Sequence, residues 1–87
     1  MLASRSLIRK AVIEVLEEQV PELVGITLDD SQHFGESPVN LDSLDFLQLL
    51  QSITIRLDVM VGDDQDIGNL RTLGSLVNCL TELCEQK

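Results

Sequence analysis

The stretch "NLDSLDFLQLL", residues 40–50, sets a hydroxyl between two carboxylates at the point where turn-forming residues give way to helical spacing. Ser43 reads there in two ways. Serine and aspartate are common at helix starts because their side-chain oxygens accept from backbone N–H groups that lack an intrahelical partner, so Ser43 suits a cap. A serine in the first turn also lies where free N–H groups and the positive end of the helix dipole stabilise anions. A phosphodiester esterified to its oxygen suits the same place.

No second constellation competes with this one. His33 is the one histidine of the chain, stands beside no other ligand or nucleophile, and reads as a surface-loop residue. There is no Gly-rich phosphate loop, no Cys/His metal set and no Ser-His-Asp arrangement. "DDQDIGN" at 63–69 lacks the ligand spacing and closing Glu of a calcium loop and reads as a solvated acidic helix start. Cys79 and Cys84 share one helical pattern but are turned roughly 140° from each other, so they cannot bridge. They read as inert thiols suited to a reducing, cytoplasmic setting. Neither a metal site nor a catalytic centre is expected, so the chain is not read as an enzyme.

The elements that must position Ser43 are few. Eighty-seven residues make a single domain, 1–87, with one small core. Hydrophobic residues make up 44% of the chain, yet its only aromatics are Phe34 and Phe46, so that core is built from Leu, Ile and Val and offers no platform for stacking bases. The net charge of −9 repels nucleic-acid backbones and anionic membrane surfaces and calls for partners with basic patches. Between positions 11 and 70 the one basic residue is Arg56. No apolar run approaches the ~18 residues of a membrane span. The opening "MLASRSLIRK" is Arg- and Ser-bearing and free of acids, as a mitochondrial presequence would be, but its pattern runs on into "AVIEVLEE", and a first helix is the reading.

That first helix spans about 3–20, with apolar positions 7, 8, 11, 12, 15, 16 and 20, and Pro21 ends it. Residues 21–41 have no sustained period and form a long loop with a helical turn inside. Leu23, Val24, Ile26, Leu28 and Phe34 are its candidate pins. A second helix covers 43–57, with Phe46, Leu47, Leu49, Leu50, Ile53 and Leu57 facing inward and Asn40 and Asp42 as candidate caps. "LDVMV" at 57–61 alternates like a strand but has nothing to pair with, and reads as an extended connector. Residues 62–70 make a short, weak helix interrupted by Gly68, and Thr72 caps a last helix with Leu73, Leu76, Val77, Leu80, Leu83 and Cys84 on one face. The expectation is all-α: a small four-helix bundle of three main helices and a short third one, with a long loop between helices 1 and 2.

In this register the chain resembles the acyl carrier proteins, whose modified serine lies in an Asp-Ser-Leu motif at the start of the second of four helices. "LDSLDFLQL" at 41–49 matches the motif and the apolar pattern after it. "RTLGSLVNCL" at 71–80 is similar to the family's entry into its last helix, and "LDVMVGDD" at 57–64 occupies the connector. The resemblance implies that a phosphopantetheinyl transferase moves 4'-phosphopantetheine from coenzyme A to the Ser43 hydroxyl, with Mg²⁺ and catalytic groups supplied by the transferase. The arm's thiol then holds acyl groups as thioesters. Implied partners are an acyl ligase or acyltransferase and a ketosynthase or other acyl-processing enzyme, met by a monomer. Asp42, Leu44, Asp45 and Gln48 are the implied docking residues, and Phe46, Ile53 and Leu70 the candidates to line an acyl-chain space between the second and third helices.

Two departures from the family pattern matter. Asn40 stands where many members have Gly, and Asn also tolerates left-handed geometry. The second helix is poor in the acids that usually meet basic enzyme patches: Gln48, Gln51, Thr54 and Ile55 stand there, with Arg56 adding a positive charge. This implies a specialised stand-alone carrier serving a dedicated fatty acid, lipid or polyketide-type pathway. The alternatives are an aryl or aminoacyl (peptidyl) carrier, or a helical adaptor that carries no prosthetic group.

Overall fold

The computed structural model describes residues 4–60 and 70–85. Among them stand three helices, α1 (Arg5–Gln19), α2 (Ser43–Leu57) and α3 (Leu73–Glu85), and one 3-10 turn at Pro21–Leu23. There is no strand among the described residues, only an isolated antiparallel bridge between His33 and Thr72. The chain is all-helical. The short helix expected at 62–70 lies outside the described residues except for Leu70, which is buried.

Helix α1 begins at Arg5, two residues after the start expected from periodicity, because Ser4 caps it: the Ser4 hydroxyl accepts from the Leu7 N–H at 3.2 Å. Ile8, Val12, Val15 and Leu16 form its buried stripe. Leu7, expected on that stripe, is 55% exposed. It lies about 100° around the helix from Ile8 and off the edge of the face that α2 and α3 cover. Pro21 has no N–H with which to continue the helix, and the chain tightens into the 3-10 turn beyond it.

The long segment 24–41 is pinned by its own apolar residues, though not all of those expected. Leu28 and Phe34 are buried, as is Leu23 just before them, while Val24 and Ile26 face solvent; Val39 and Leu41 supply the remaining anchors. Two sets of polar contacts hold the backbone between them. On one side Arg5 and Arg9 both bond the Asp30 carboxylate, at 2.9 and 3.2 Å, and Arg9 also donates to the Leu28 carbonyl. The Asp30 carbonyl accepts from the Gly74 N–H at 2.8 Å, so close that a side chain at 74 would put its Cβ 2.8 Å from the Asp30 Cβ. On the other side the Phe34 N–H donates to the Arg71 carbonyl at 2.8 Å, and the Leu41 N–H donates to the Phe34 carbonyl at 2.7 Å. The loop is thereby laid across the entry to α3 and delivers the chain to α2. His33 takes part in this pairing. It is half-buried, and its Nδ1 accepts from the Gly35 N–H at 3.0 Å, so it is more than the surface-loop residue the sequence suggested.

Helix α2 closes on Asp58, whose left-handed backbone (φ 53°) lets the Val59 N–H reach the Thr54 carbonyl at 3.2 Å. The alternation in "LDVMV" reflects this end: Val59 folds back into the core and Met60 points out. Helix α3 starts with a reciprocal pair in which the Ser75 N–H donates to the Thr72 hydroxyl and the Thr72 N–H to the Ser75 hydroxyl, each at 3.3 Å. Leu73, Leu76, Val77 and Leu80 are fully buried, with Leu83 and Cys84 half-buried against them. Helix α1 packs against α2, α3 and the 3-10 turn, and among the described residues the core contains no buried polar side chain. No described helix is long and apolar enough to cross a membrane.

Candidate functional site

Ser43 is the first residue of α2 and is exposed. The cap is its neighbour: the Asp42 carboxylate accepts from the Asp45 N–H at 2.8 Å. Asn40, expected to share the capping, does not. Its backbone is left-handed (φ 53°), which turns its side chain back to the Ser37 hydroxyl at 3.4 Å rather than toward the helix. With Asp42 engaged on Asp45, the Ser43 hydroxyl takes no hydrogen bond among the described residues. The amides of Ser43 and Leu44 have no carbonyl to reach within the helix. An unengaged primary hydroxyl thus stands beside unpaired donors at the positive end of a helix of 15 residues. That donor set is one an esterified phosphodiester on the Ser43 oxygen would fit.

The α2 backbone is fixed from both sides. The Gln19 side-chain amide, at the end of α1, donates to the Asp45 carbonyl at 2.8 Å. Phe46, one turn into the helix, is buried and packs against Phe34 with ring centroids 5.6 Å apart. The guanidinium of Arg71, at the entry to α3, lies over the Phe46 ring at 4.9 Å.

Of the expected docking residues, Asp42, Leu44 and Gln48 are exposed and Asp45 is half-buried. Leu47, expected in the core, is 49% exposed. The buried stripe of α2 is Phe46, Leu49, Leu50 and Ile53, which leaves Leu47 about 100° away on a second stripe with Leu44, Gln51 and Ile55. Leu44 and Ile55 are 73% and 75% exposed, so α2 presents apolar and neutral groups outward in a chain of net charge −9. Arg56 does not add a free positive charge there, because it reaches the Glu18 carboxylate on α1 at 3.6 Å.

The expected acyl-pocket residues Phe46, Ile53 and Leu70 all belong to the one continuous core and are at most 6% exposed. Two clefts lie elsewhere: about 410 Å³ between α1 and α2, lined by Val15, Gln19, Gln48 and Ser52 among others, and about 470 Å³ along the outer side of α1 near Lys10 and Ile13. Neither of these two clefts is lined by the three residues.

The remaining titratable features are structural. Hydrogen bonds from Arg5 and then Arg9 hold the Asp30 carboxyl below its ordinary value. Burial, helped by the Glu82 carboxylate, pushes the Cys79 thiol up, away from the reactive thiolate form. Among the described residues no group of three His, Cys, Asp or Glu side chains could hold a metal ion.

Sequence reasoning missed two parts of this site. The outward stripe was legible, since 44, 47, 51 and 55 follow helical spacing as regularly as the buried set does. The approach of Arg71 to Phe46 was not, because it depends on how the loop folds. No protein-family model, curated protein or solved structure matches the chain.

Proposed function

We propose that the chain is an acyl carrier protein that holds acyl intermediates as thioesters on a 4'-phosphopantetheine arm esterified to Ser43. The observation that carries this reading is the state of Ser43: exposed, first in α2, and relieved of capping by Asp42. The chain's own part in loading is to present that hydroxyl. Its oxygen attacks the phosphorus of coenzyme A that bears the pantetheine, 3',5'-ADP leaves, and the serine proton passes to a base of the phosphopantetheinyl transferase. Once attached, the group supplies a flexible thiol that forms thioesters. A short helix at 62–70, completing a four-helix bundle, and a monomer in the cytoplasm belong to the same reading.

Phe46, Ile53 and Leu70 are the residues between which an acyl chain would be sheltered, at roughly 0.8 kcal/mol for each CH₂ removed from water. Asp42, Leu44, Asp45 and Gln48 face the enzymes that deliver and process the cargo, namely an acyl ligase or acyltransferase and a ketosynthase or its equivalent. Because the outward stripe of α2 is apolar and neutral, partner choice rests on shape and apolar contact more than on charge. That supports a dedicated fatty acid, lipid or polyketide-type pathway. A purified housekeeping ketosynthase should therefore use the acylated protein more slowly than its own carrier, and equal rates would remove this part of the reading. Loading by aryl or aminoacyl ligases in preference to fatty acyl ones would assign the carrier to the other cargo class.

The exposed Leu44, Leu47 and Ile55 also favour a second reading, an adaptor that binds a partner helix and carries no prosthetic group. Incubation with coenzyme A and a promiscuous phosphopantetheinyl transferase separates the two. The carrier gains the mass of one phosphopantetheine, the Ser43→Ala variant gains none, and a folded wild-type protein with no gain is the adaptor.

A further inference from the structure

The described arginines differ in how their charge is used. Arg5 and Arg9 both bond Asp30, and Arg56 bonds Glu18. Arg71 has no carboxylate partner among the described residues, although the chain carries 15 acids to 6 basic groups. The central carbon of its guanidinium lies over the Phe46 ring, 4.9 Å from the centroid. A cation over an aromatic face still has N–H groups to offer to other acceptors, and the contact with the ring limits where the guanidinium lies.

The position of that stack follows from helix geometry. Side chains of an α-helix lean toward its N-terminus, so the surface a residue covers lies over the turn before it. For Phe46 that turn is the one that begins with Ser43, three residues earlier on the same face. The backbone gives the same placement independently. The Arg71 carbonyl holds the Phe34 N–H, and the Phe34 carbonyl holds the Leu41 N–H, so Arg71 is two hydrogen bonds from Leu41, itself two residues before Ser43.

We propose that Arg71 is a positioning residue for the prosthetic arm: it pairs with the phosphodiester on Ser43 and fixes the direction in which the arm leaves α2. The proposal rests on the carrier reading. An arginine fork matches two phosphate oxygens, and the pair would work with the free amides of the first turn of α2. The arm would then leave α2 on the side of α3, toward the line between Phe46 and Leu70, rather than swing freely over the outward stripe.

The test uses the loaded, full-length protein and begins with intact mass. No phosphopantetheine on wild type overturns the carrier reading and this inference together; every further outcome bears on Arg71 alone. In wild-type protein the Arg71 Nε–H resonance should move between the apo and loaded forms, and the phosphorus resonance of the diester should differ from that of the same diester in the loaded protein unfolded by denaturant, and move toward it as salt is raised. In loaded Arg71→Gln the phosphorus resonance should move toward that unfolded-chain value, and Arg71→Lys should recover part of the difference. A role confined to bracing Phe46 predicts another pattern: lower thermal stability of the apo Arg71→Gln protein, with the phosphorus resonance and its salt response unchanged. That pattern, or an Arg71 Nε–H resonance indifferent to loading in wild type, overturns the proposal.

Discussion

The two faces of α2 follow the same helical spacing and are both rich in apolar residues, yet they have opposite fates. Phe46, Leu49, Leu50 and Ile53 are buried to within a few per cent, whereas Leu44, Leu47 and Ile55 are 49 to 75% exposed. The inner face is closed by α1 and by Phe34 from the long loop; nothing among the described residues closes the outer one. Spacing establishes that a residue set shares a face, but only the packing of other elements decides whether the face belongs to the fold or remains for a partner. Ser43 stands at the end of the helix where both faces begin, so on the proposed carrier reading one element would tie the attachment point to the core on one side and to incoming enzymes on the other.

The comparison breaks most visibly on the inner face. Ile53→Ala should cost about 2–5 kcal/mol of stability, read from denaturant unfolding, because it cuts back a fully buried side chain in the core. A loss as small as that of a surface substitution would mean the inner face is not the core described. At the shared end, Asp42→Ala removes the cap from the Asp45 N–H and should cost about 0.5–2 kcal/mol in the same assay. Ser43→Ala, which the cap does not use, should cost less than about 1 kcal/mol. A larger loss at Ser43 than at Asp42 would reverse the assignment of cap and attachment point.

A smaller effect separates the loop anchors from both faces of α2. Arg5 and Arg9 depress the Asp30 carboxyl, so the folded state favours the ionised form. A depressed group contributes stability that is present above its ordinary value and lost as the pH falls through the folded value. The stability difference between wild type and Asp30→Asn should therefore be largest near neutral pH and shrink on acidification below the ordinary carboxylate range. A difference independent of pH would show that the Asp30 charge contributes nothing to holding the loop. Least of all, Ile55→Gln on the outer face should change stability by no more than about 0.5 kcal/mol while slowing transfer by the cognate partner enzyme. Unchanged turnover with that enzyme would leave the outer stripe without a docking role.

Much of this was legible in the sequence because it is local. The bounds of α2, the Thr72 cap of α3 and the stop at Pro21 all follow from capping chemistry and apolar spacing within a few residues. The left-handed Asn40 was legible too, from the tolerance of Asn for positive φ. The readings that failed required knowledge of neighbours. Leu7 and Leu47 sit one residue from a buried position, and periodicity alone cannot say where a covering helix stops. Val24 and Ile26 lost to Val39 and Leu41 because the loop is held by backbone bonds to Arg71 and by the double arginine grip on Asp30, contacts that span 25 residues or more of chain in the case of Arg5. The position of Arg71 over Phe46 is the same kind of long-range consequence.

The central claim is that the unengaged Ser43 hydroxyl is the attachment point of a phosphopantetheine arm. It is tested most directly by loading the protein with coenzyme A and a promiscuous phosphopantetheinyl transferase and locating the added mass by fragment-ion sequencing. The account predicts one phosphopantetheine per chain, all of it on Ser43 and none on Ser37, Ser52 or Ser75. A folded protein that stays unmodified, or that carries the group on another hydroxyl, would contradict it.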